Sequence, residues 1–179
     1  LPAMARVLGL GEDELRNDYM IYDTPLMDGY MDPSSYYDHL ERKFGVSHIG
    51  TDIFADLFSP TVNRPMLSIV DKLREKGHRC VIGSNTFEPH SRIVESMEPS
   101  ILSHFDHYYA SHVMHLSKPE TAFFRYIAQE EGYGYGDISF TDDLERNVDA
   151  ARSLGIRCLH YKGEDKDERA ASFFAPYLA

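Results

Sequence analysis

The sequence predicts an α/β fold, in which a doubly wound, Rossmann-like parallel sheet carries helices on both faces and follows a small all-helical cap. Two observations lead to this prediction. From about residue 64 onward, segments of helical periodicity alternate with short apolar runs typical of buried strands. Residues 1–62 instead show helical periodicity throughout, divided by glycine-containing turns. We therefore predict a helical cap over residues 1–62 and an α/β core over residues 63–179.

In the core, the predicted elements alternate along the chain. A proline in the first turn begins the helix 65–76, and Gly77 ends it. The next run, 79–83, is short, apolar and bounded by glycine, as a strand buried on both faces should be. The remaining predicted elements are helices at 89–104, 119–132, 144–154 and 167–178, and strands at 106–110, 137–141 and 157–161.

The cap is rich in tyrosine, and its tyrosines recur at helical spacing. One predicted apolar face consists of Leu15, Tyr19 and Tyr22, and a second consists of Tyr36, Tyr37, Leu40 and Phe44. Such stripes usually form a hydrophobic core, so we predict packing for them rather than contact with a substrate.

The composition limits the classes of partner. A formal net charge of -11 argues against nucleic acid, because proteins that bind it present clustered Lys and Arg. A small phosphorylated molecule stays compatible with this charge if local lysine, backbone N–H groups or a divalent cation offset the repulsion. Cys80 and Cys158 lie in strand-like runs and are predicted to be buried free thiols. The sequence shows no membrane span and no signal-like start in residues 1–10, so we predict a cytoplasmic protein. For its oligomeric state, the sequence leaves both a monomer and a homodimer open.

Polar residues follow the predicted strands where ligands bind in a doubly wound sheet, beyond the carboxyl ends. Ser84 and Asn85 follow the strand 79–83 and could hold a phosphoryl oxygen, although Ser-Asn-Thr is also common in turns and helix caps. Asp142 and Asp143 follow the strand 137–141, where adjacent carboxylates favour a cation over a simple helix cap. Lys118 precedes a helix start and could reach the same crevice, although an isolated lysine is more often a solvated surface group.

In their order, these segments resemble the motifs of the haloacid dehalogenase (HAD) superfamily, in the helical-cap subfamily that includes small phosphatases and the phosphatase domain of epoxide hydrolases. The matching segments are Ile82-Gly83-Ser84-Asn85-Thr86, Leu116-Ser117-Lys118-Pro119-Glu120, and Ile138-Ser139-Phe140-Thr141-Asp142-Asp143 with Asn147. The resemblance implies that Ser84 and Lys118 are catalytic and bind the phosphoryl group together with Asn85. It also implies that Asp143, with Asp142 behind it, holds Mg²⁺.

The first motif of that family, an apolar strand ending in an aspartate nucleophile, is absent from the sequence. We expect it upstream of Leu1, on a central strand between those that end at Ser84 and Asp142. The one similar segment, Tyr19-Met20-Ile21-Tyr22-Asp23-Thr24-Pro25, fits better as part of a cap helix.

The resemblance implies a Mg²⁺-dependent hydrolase of small phosphate monoesters that forms an aspartyl-phosphate intermediate. The alternatives are a catalytically silent binding or regulatory relative and a 2-haloacid dehalogenase. The Asp142-Asp143 pair argues against the dehalogenase, since dehalogenases of this superfamily work without a metal. Phosphonate cleavage would require a cap lysine for a Schiff base. The predicted cap offers only Lys43, which nothing in the sequence marks as buried, so we do not expect this activity.

Histidines suggest one further alternative, a zinc-binding interaction module. His104, His107, His112 and His115 form two His-x-x-His pairs. One pair spans a helix end and a strand start and the other lies in a loop, so we expect these side chains to cap, pack or contact solvent. His90, which follows Ser84 closely, is a better candidate for contact with a leaving group.

Overall fold

A computed structural model describes residues 1–46 and 49–179 and confirms an α/β core with many helices. Its helices are α1 (Pro2–Leu8), α2 (Glu12–Met27), α3 (Pro33–Phe44), α4 (Ile53–Asp56), α5 (Arg64–Glu75), α6 (Glu88–Glu95), α7 (Ser111–Met114), α8 (Thr121–Glu131), α9 (Glu145–Ser153) and α10 (Lys166–Leu178). Its strands are β1 (Val81–Ser84), β2 (His107–Ala110), β3 (Ser139–Asp142) and β4 (Arg157–His160). Helices α1–α4 fall within the predicted cap, and every strand falls within the predicted core.

Helices α1–α4, which lie in the predicted cap, contribute to one hydrophobic cluster rich in aromatic side chains. Helix α3 begins where the Asp32 carboxylate accepts a hydrogen bond from Ser34 N at 2.8 Å, and it ends at Gly45 with a left-handed φ of 64°. The two predicted apolar faces meet inside this cluster, where Leu15, Tyr19, Tyr36, Tyr37 and Leu40 are buried. The predicted packing role of these tyrosines therefore agrees with their burial.

A buried carboxylate joins α2 to α3. Asp18 is 2% exposed; its oxygens accept hydrogen bonds from Tyr36 Oη at 3.2 Å and from Lys43 Nζ, and His39 Nε2 lies 3.0 Å away. Burial acts to raise the pKa of the Asp18 carboxyl, but the hydrogen bonds from Lys43 and His39 outweigh it, so the pKa lies below its usual value. Asp18 therefore joins α2 to α3 as an ionised carboxylate.

This carboxylate should make cap stability depend on pH. Because its folded pKa lies below the unfolded value of about 3.9, its contribution is present above that value and is lost as pH falls through the folded pKa. We expect Asp18→Asn to lower the melting temperature at pH 7 and to reduce the loss of stability as the pH falls below about 4. Melting curves across this range test it, and equal acid losses in both proteins would contradict it.

The core strands form two separate parallel pairs. β1 pairs with β2, with Ser84 opposite Ala110, and β3 pairs with β4, with Asp142 opposite His160. Within residues 1–46 and 49–179, no ladder joins β1 to β3, so each of these strands has a neighbour on one side. The predicted strands are confirmed to within about two residues at each end.

Helices cover both faces of the strands, as predicted. Successive strand residues point to opposite faces, and β4 shows this directly. Leu159 packs with α5 and α10 in one cluster, whereas Cys158 packs with α8 and α9 in another. Cys80 and Cys158 are free and half-buried, and burial raises the pKa of the Cys80 thiol to about 11. In the described residues, none of the helices is both long and apolar enough for a membrane span.

One predicted helix is wrong in extent. Residues 89–104 were expected to form a single helix, but α6 ends at Glu95 and a separate 3₁₀ turn covers Leu102–His104. Pro99 explains the break, because proline has no N–H to donate and disfavours helical geometry at the residue before it.

Candidate active site

Lys118 connects the carboxyl ends of the two strand pairs. Its Nζ donates hydrogen bonds to the carbonyl of Gly83 at the end of β1, at 2.8 Å, and to Asp142 Oδ2 at the end of β3, at 2.7 Å. The same Nζ lies 5.7 Å from the ring centroids of Phe123 and Phe140, within the range of cation–π attraction. The ammonium is thus held by one contact from the end of β1 and one from the end of β3.

The backbone around Lys118 is tied to the loop after β1. The Asn85 amide donates to Lys118 O at 2.7 Å, and Lys118 N donates to Asn85 Oδ1 at 2.8 Å. Gly83 permits the close packing beneath, because a Cβ there would lie 3.0 Å from the Phe123 ring. The Asn85 side chain joins two loops of the site, and its predicted role in binding substrate stays a prediction.

The carboxylate of Asp142 is fully engaged. One oxygen accepts from Lys118 Nζ, and the other accepts from Leu144 N and from Asn147 Nδ2, both at 2.9 Å. The Lys118 and Asp142 side chains are 9% and 7% exposed, so the two charges neutralise each other largely out of water. Asp142 therefore serves geometrically as the anchor of Lys118 and of the turn that begins α9.

Ser84 and Asp143 sit directly beside these anchored groups. Ser84 is the last residue of β1 and is half-buried, and Asp143 follows β3 with an exposed side chain. In the described part of the chain, neither the Ser84 hydroxyl nor the Asp143 carboxylate has a hydrogen-bond or ion-pair partner. The Asp143 carbonyl lies 2.9 Å from His160 Nε2. A hydroxyl, an ammonium and a carboxylate thus lie at one edge of the core, with the hydroxyl and the carboxylate available to a ligand.

The donor set suits Mg²⁺. This ion is typically held by one or two carboxylates plus water and substrate phosphate oxygens. Asp143 offers a carboxylate, and the buried Oδ1 of Asn147, whose Nδ2 bonds Asp142, has no partner in the described residues. The described residues contain no group of three or more His, Cys, Asp and Glu side chains placed to hold a metal. A metal ion bound by Asp143 would therefore need further oxygen ligands, such as water or substrate.

The other sequence candidates make contacts with groups other than Lys118, Asp142 and Asp143. The Tyr19–Pro25 segment is inside α2, as expected, and not in a strand. His112 Nδ1 lies 3.2 Å from Thr86 O, and His115 Nδ1 lies 2.7 Å from Asp28 O, so these rings contact backbone carbonyls. His104 pairs with Asp71. His90 stacks on Phe58, with ring centroids 3.9 Å apart, and burial lowers its pKa.

Two features of the site were missed by sequence analysis. Phe87, three residues after Ser84, is 2% exposed and packs in the cap cluster rather than in the core. Ser111 is fully buried and bonds both the loop after β1 and the end of α2. Phe87 was visible as an apolar residue beside a motif, whereas nothing local marks Ser111.

Comparison with known sequences gives short or partial matches. No family model matches the chain. It is 37% identical over 65 residues to a drimenol cyclase, drtB, of Aspergillus calidoustus, covering 36% of this chain and 12% of that protein. It is 27% identical over 120 residues to bifunctional epoxide hydrolase 2 of Rattus norvegicus, covering 65% of this chain and 21% of that protein. The chain thus spans less than a quarter of the length of either relative.

Comparison with solved structures covers most of the chain. A HAD family enzyme from Bacteroides thetaiotaomicron, in its magnesium complex, matches with a TM-score of 0.67 and 28% identity, over 79% of this chain and 75% of that one. The complex of the same enzyme with magnesium and inorganic phosphate matches with a TM-score of 0.67 and 25% identity, over 78% and 74%. Most of the chain therefore shares its fold with these solved structures.

Proposed function

The chain belongs by its fold to the haloacid dehalogenase superfamily, and from this premise we propose that it forms the cap and most of the core of a Mg²⁺-dependent phosphatase for small phosphate monoesters. The single observation that carries the proposal is the position of Lys118. Its ammonium joins the carboxyl ends of β1 and β3, where Ser84 ends one strand and Asp143 follows the other, both without a side-chain partner among the described residues. Two similar structures contain magnesium, and one of them also contains inorganic phosphate.

In this proposal, each group at the edge has a separate role. Ser84 donates its hydroxyl to a phosphoryl oxygen, and the Lys118 ammonium neutralises charge on the phosphoryl group and on the nucleophile. Asp143, with Asp142 and Asn147 behind it, holds Mg²⁺, which when bound would offset negative charge on the transferring phosphoryl group. Asn85 keeps the two loops in register through its paired hydrogen bonds with Lys118.

The nucleophile is proposed to be an aspartate on a further strand between β1 and β3, expected upstream of Leu1. The unshared edges of β1 and β3 support this, because each strand has one hydrogen-bonded neighbour in the described residues. The aspartate oxygen would bond to phosphorus as the ester oxygen leaves, and water would then release phosphate from the aspartyl-phosphate.

The test is turnover of a generic aryl phosphate by the natural full-length protein. We expect turnover to require Mg²⁺ and Asp143→Asn to reduce kcat/KM by about a hundredfold or more, because the charge that holds the metal is lost. The matched control is Asp149→Asn, which removes an exposed carboxylate on α9 that pairs with Arg152. This control should leave turnover unchanged.

Other results would favour the alternatives. Phosphate binding without turnover would favour the silent relative, and metal-independent release of halide from a 2-haloacid would favour a dehalogenase. Asp142-Asp143 and Lys118 form an intact set in this chain, which supports the phosphatase over both.

A further inference from the structure

The hydroxyl of Ser111 links three segments that are far apart in sequence. Ser111 is the first residue of α7, directly after β2, and is 0% exposed. Its Oγ accepts a hydrogen bond from Thr86 N at 2.9 Å and lies 2.8 Å from Thr86 O and 2.6 Å from Met27 O. Thr86 belongs to the loop after β1, and Met27 ends the cap helix α2.

A hydroxyl has one proton, so these contacts are not independent. While Ser111 accepts from Thr86 N, it can donate fully to one of its two carbonyl neighbours at a time. One carbonyl belongs to the cap and the other to the loop that carries Ser84. Ser111 and Thr86 are buried and the contact with Met27 O is partly buried, so water cannot easily replace a lost hydrogen bond.

Further close contacts join the end of α2 to α7. A Cβ built on Gly29, whose φ is +70°, would lie 2.3 Å from the carbonyl oxygen of His112. His115 Nδ1 lies 2.7 Å from Asp28 O, and the His115 ring stacks on Tyr30 with centroids 5.1 Å apart. We name residues 27–29, Thr86 and residues 111–115 the cap–loop junction.

We infer that Ser111 is a positioning residue that fixes the Ser84–Thr86 loop relative to the end of α2, so that the phosphate-binding loop and the cap hold each other in place. Thr86 is two residues from Ser84, and the residue between them, Asn85, is bonded to Lys118. A displacement of Thr86 would therefore also displace Ser84 and Lys118, the two residues proposed to bind phosphate. The identity of the ligand rests on the proposed function, whereas the mechanical link does not.

The first test compares two buried serines in the natural full-length protein. Ser111→Ala removes the linking hydroxyl, and the control Ser91→Ala removes a hydroxyl that is also buried but contacts Glu95 and Tyr108. We expect Ser111→Ala to weaken inhibition by inorganic phosphate by about tenfold, equivalent to about 1.4 kcal/mol, and to raise KM more than it lowers kcat. Ser91→Ala should change neither.

The second test approaches the junction from the cap. Gly29→Ala places a methyl group against the His112 carbonyl. The control Gly45→Ala has the same left-handed strain, with φ of +64°, and apart from its chain neighbours its methyl group would meet no atom of the described residues within 4 Å. We expect the Gly29 variant alone to reproduce the weaker phosphate inhibition. This pair also decides the question if Ser111→Ala does not fold.

Hydrogen exchange provides a readout that needs no turnover. In Ser111→Ala, amide exchange should become faster both at residues 84–87 and at residues 26–29, and in Ser91→Ala at neither. Faster exchange at both segments supports the inference even if the wild type binds no phosphate, which would overturn the proposed function alone. Unchanged exchange at residues 26–29, or equal effects of the Ser111 and Ser91 variants, would overturn the inference.

Discussion

Replacing Lys118 with methionine is expected to lower the free energy of unfolding by about 3–5 kcal/mol, because the change leaves a buried carboxylate without its cation. The Asp142 side chain is 7% exposed, and it keeps hydrogen bonds from Leu144 N and Asn147 Nδ2, which cannot supply a full positive charge. The Gly83 carbonyl also loses its donor. Urea denaturation measures the loss, and turnover of an aryl phosphate should be lost with it.

The control for this prediction is an ion pair of similar chemistry in water. Arg152 pairs with Asp149 on α9, with both side chains more than half exposed, so Arg152→Met should cost less than about 1 kcal/mol. A double variant, Lys118→Met with Asp142→Asn, should recover much of the stability but none of the turnover. If Lys118→Met cost no more than Arg152→Met, the pair would be solvated and its buried role would be wrong.

Much of the core could be predicted because its signals are local. Strands buried on both faces read as short apolar runs, and helices are marked by proline at the start and glycine at the end. The sequence also predicted that the ends of β1 and β3 carry the chemistry, and Lys118 does contact both ends. The roles of Ser84 and Asp143 stay predictions, since their side chains have no partner in the described residues that would assign one.

The rest of the site depends on contacts between segments that are distant in sequence. Ser111 and Met27 are 84 residues apart, and no sequence pattern around a serine that follows a strand predicts such a contact. The same limit applies to Asp142, whose carboxylate contacts Lys118 and the first turn of α9, while its predicted part behind Asp143 in holding a metal stays a prediction. Adjacent acids in a sequence do not say which of them faces inward.

The position of Phe87 shows that the cap and the motif loop share one hydrophobic cluster. Its ring centroid lies 4.8 Å from that of Phe54, at an interplanar angle of 88°, and 4.4 Å from that of His90. Phe54 and Phe58 come from the predicted cap, and His90 and Phe87 come from the predicted core. The boundary at residue 62 stays a prediction, and this cluster contains residues from both sides of it.

Phe87→Ala is therefore expected to lower the free energy of unfolding by about 3–5 kcal/mol, since it leaves a cavity inside a cluster where this side chain is 2% exposed. Phe87→Leu should cost clearly less, because it fills most of the space. The control, Tyr133→Ala, truncates an aromatic ring that is 49% exposed and should cost less than about 1 kcal/mol. Urea denaturation compares the three.

The same variant separates packing from a direct role in binding. If Phe87 acts only by holding the loop to the cap, Phe87→Ala should weaken phosphate inhibition, and Phe87→Leu should restore most of it in proportion to the stability that it recovers. Loss of phosphate binding in Phe87→Leu at near-normal stability would instead mean that the ring contacts the ligand. If Phe87→Ala were as stable as the Tyr133 control, the predicted cap and the loop would not be packed together in solution. Removing a phenyl ring from a packed cluster typically costs about 3–5 kcal/mol, far more than removing an exposed ring.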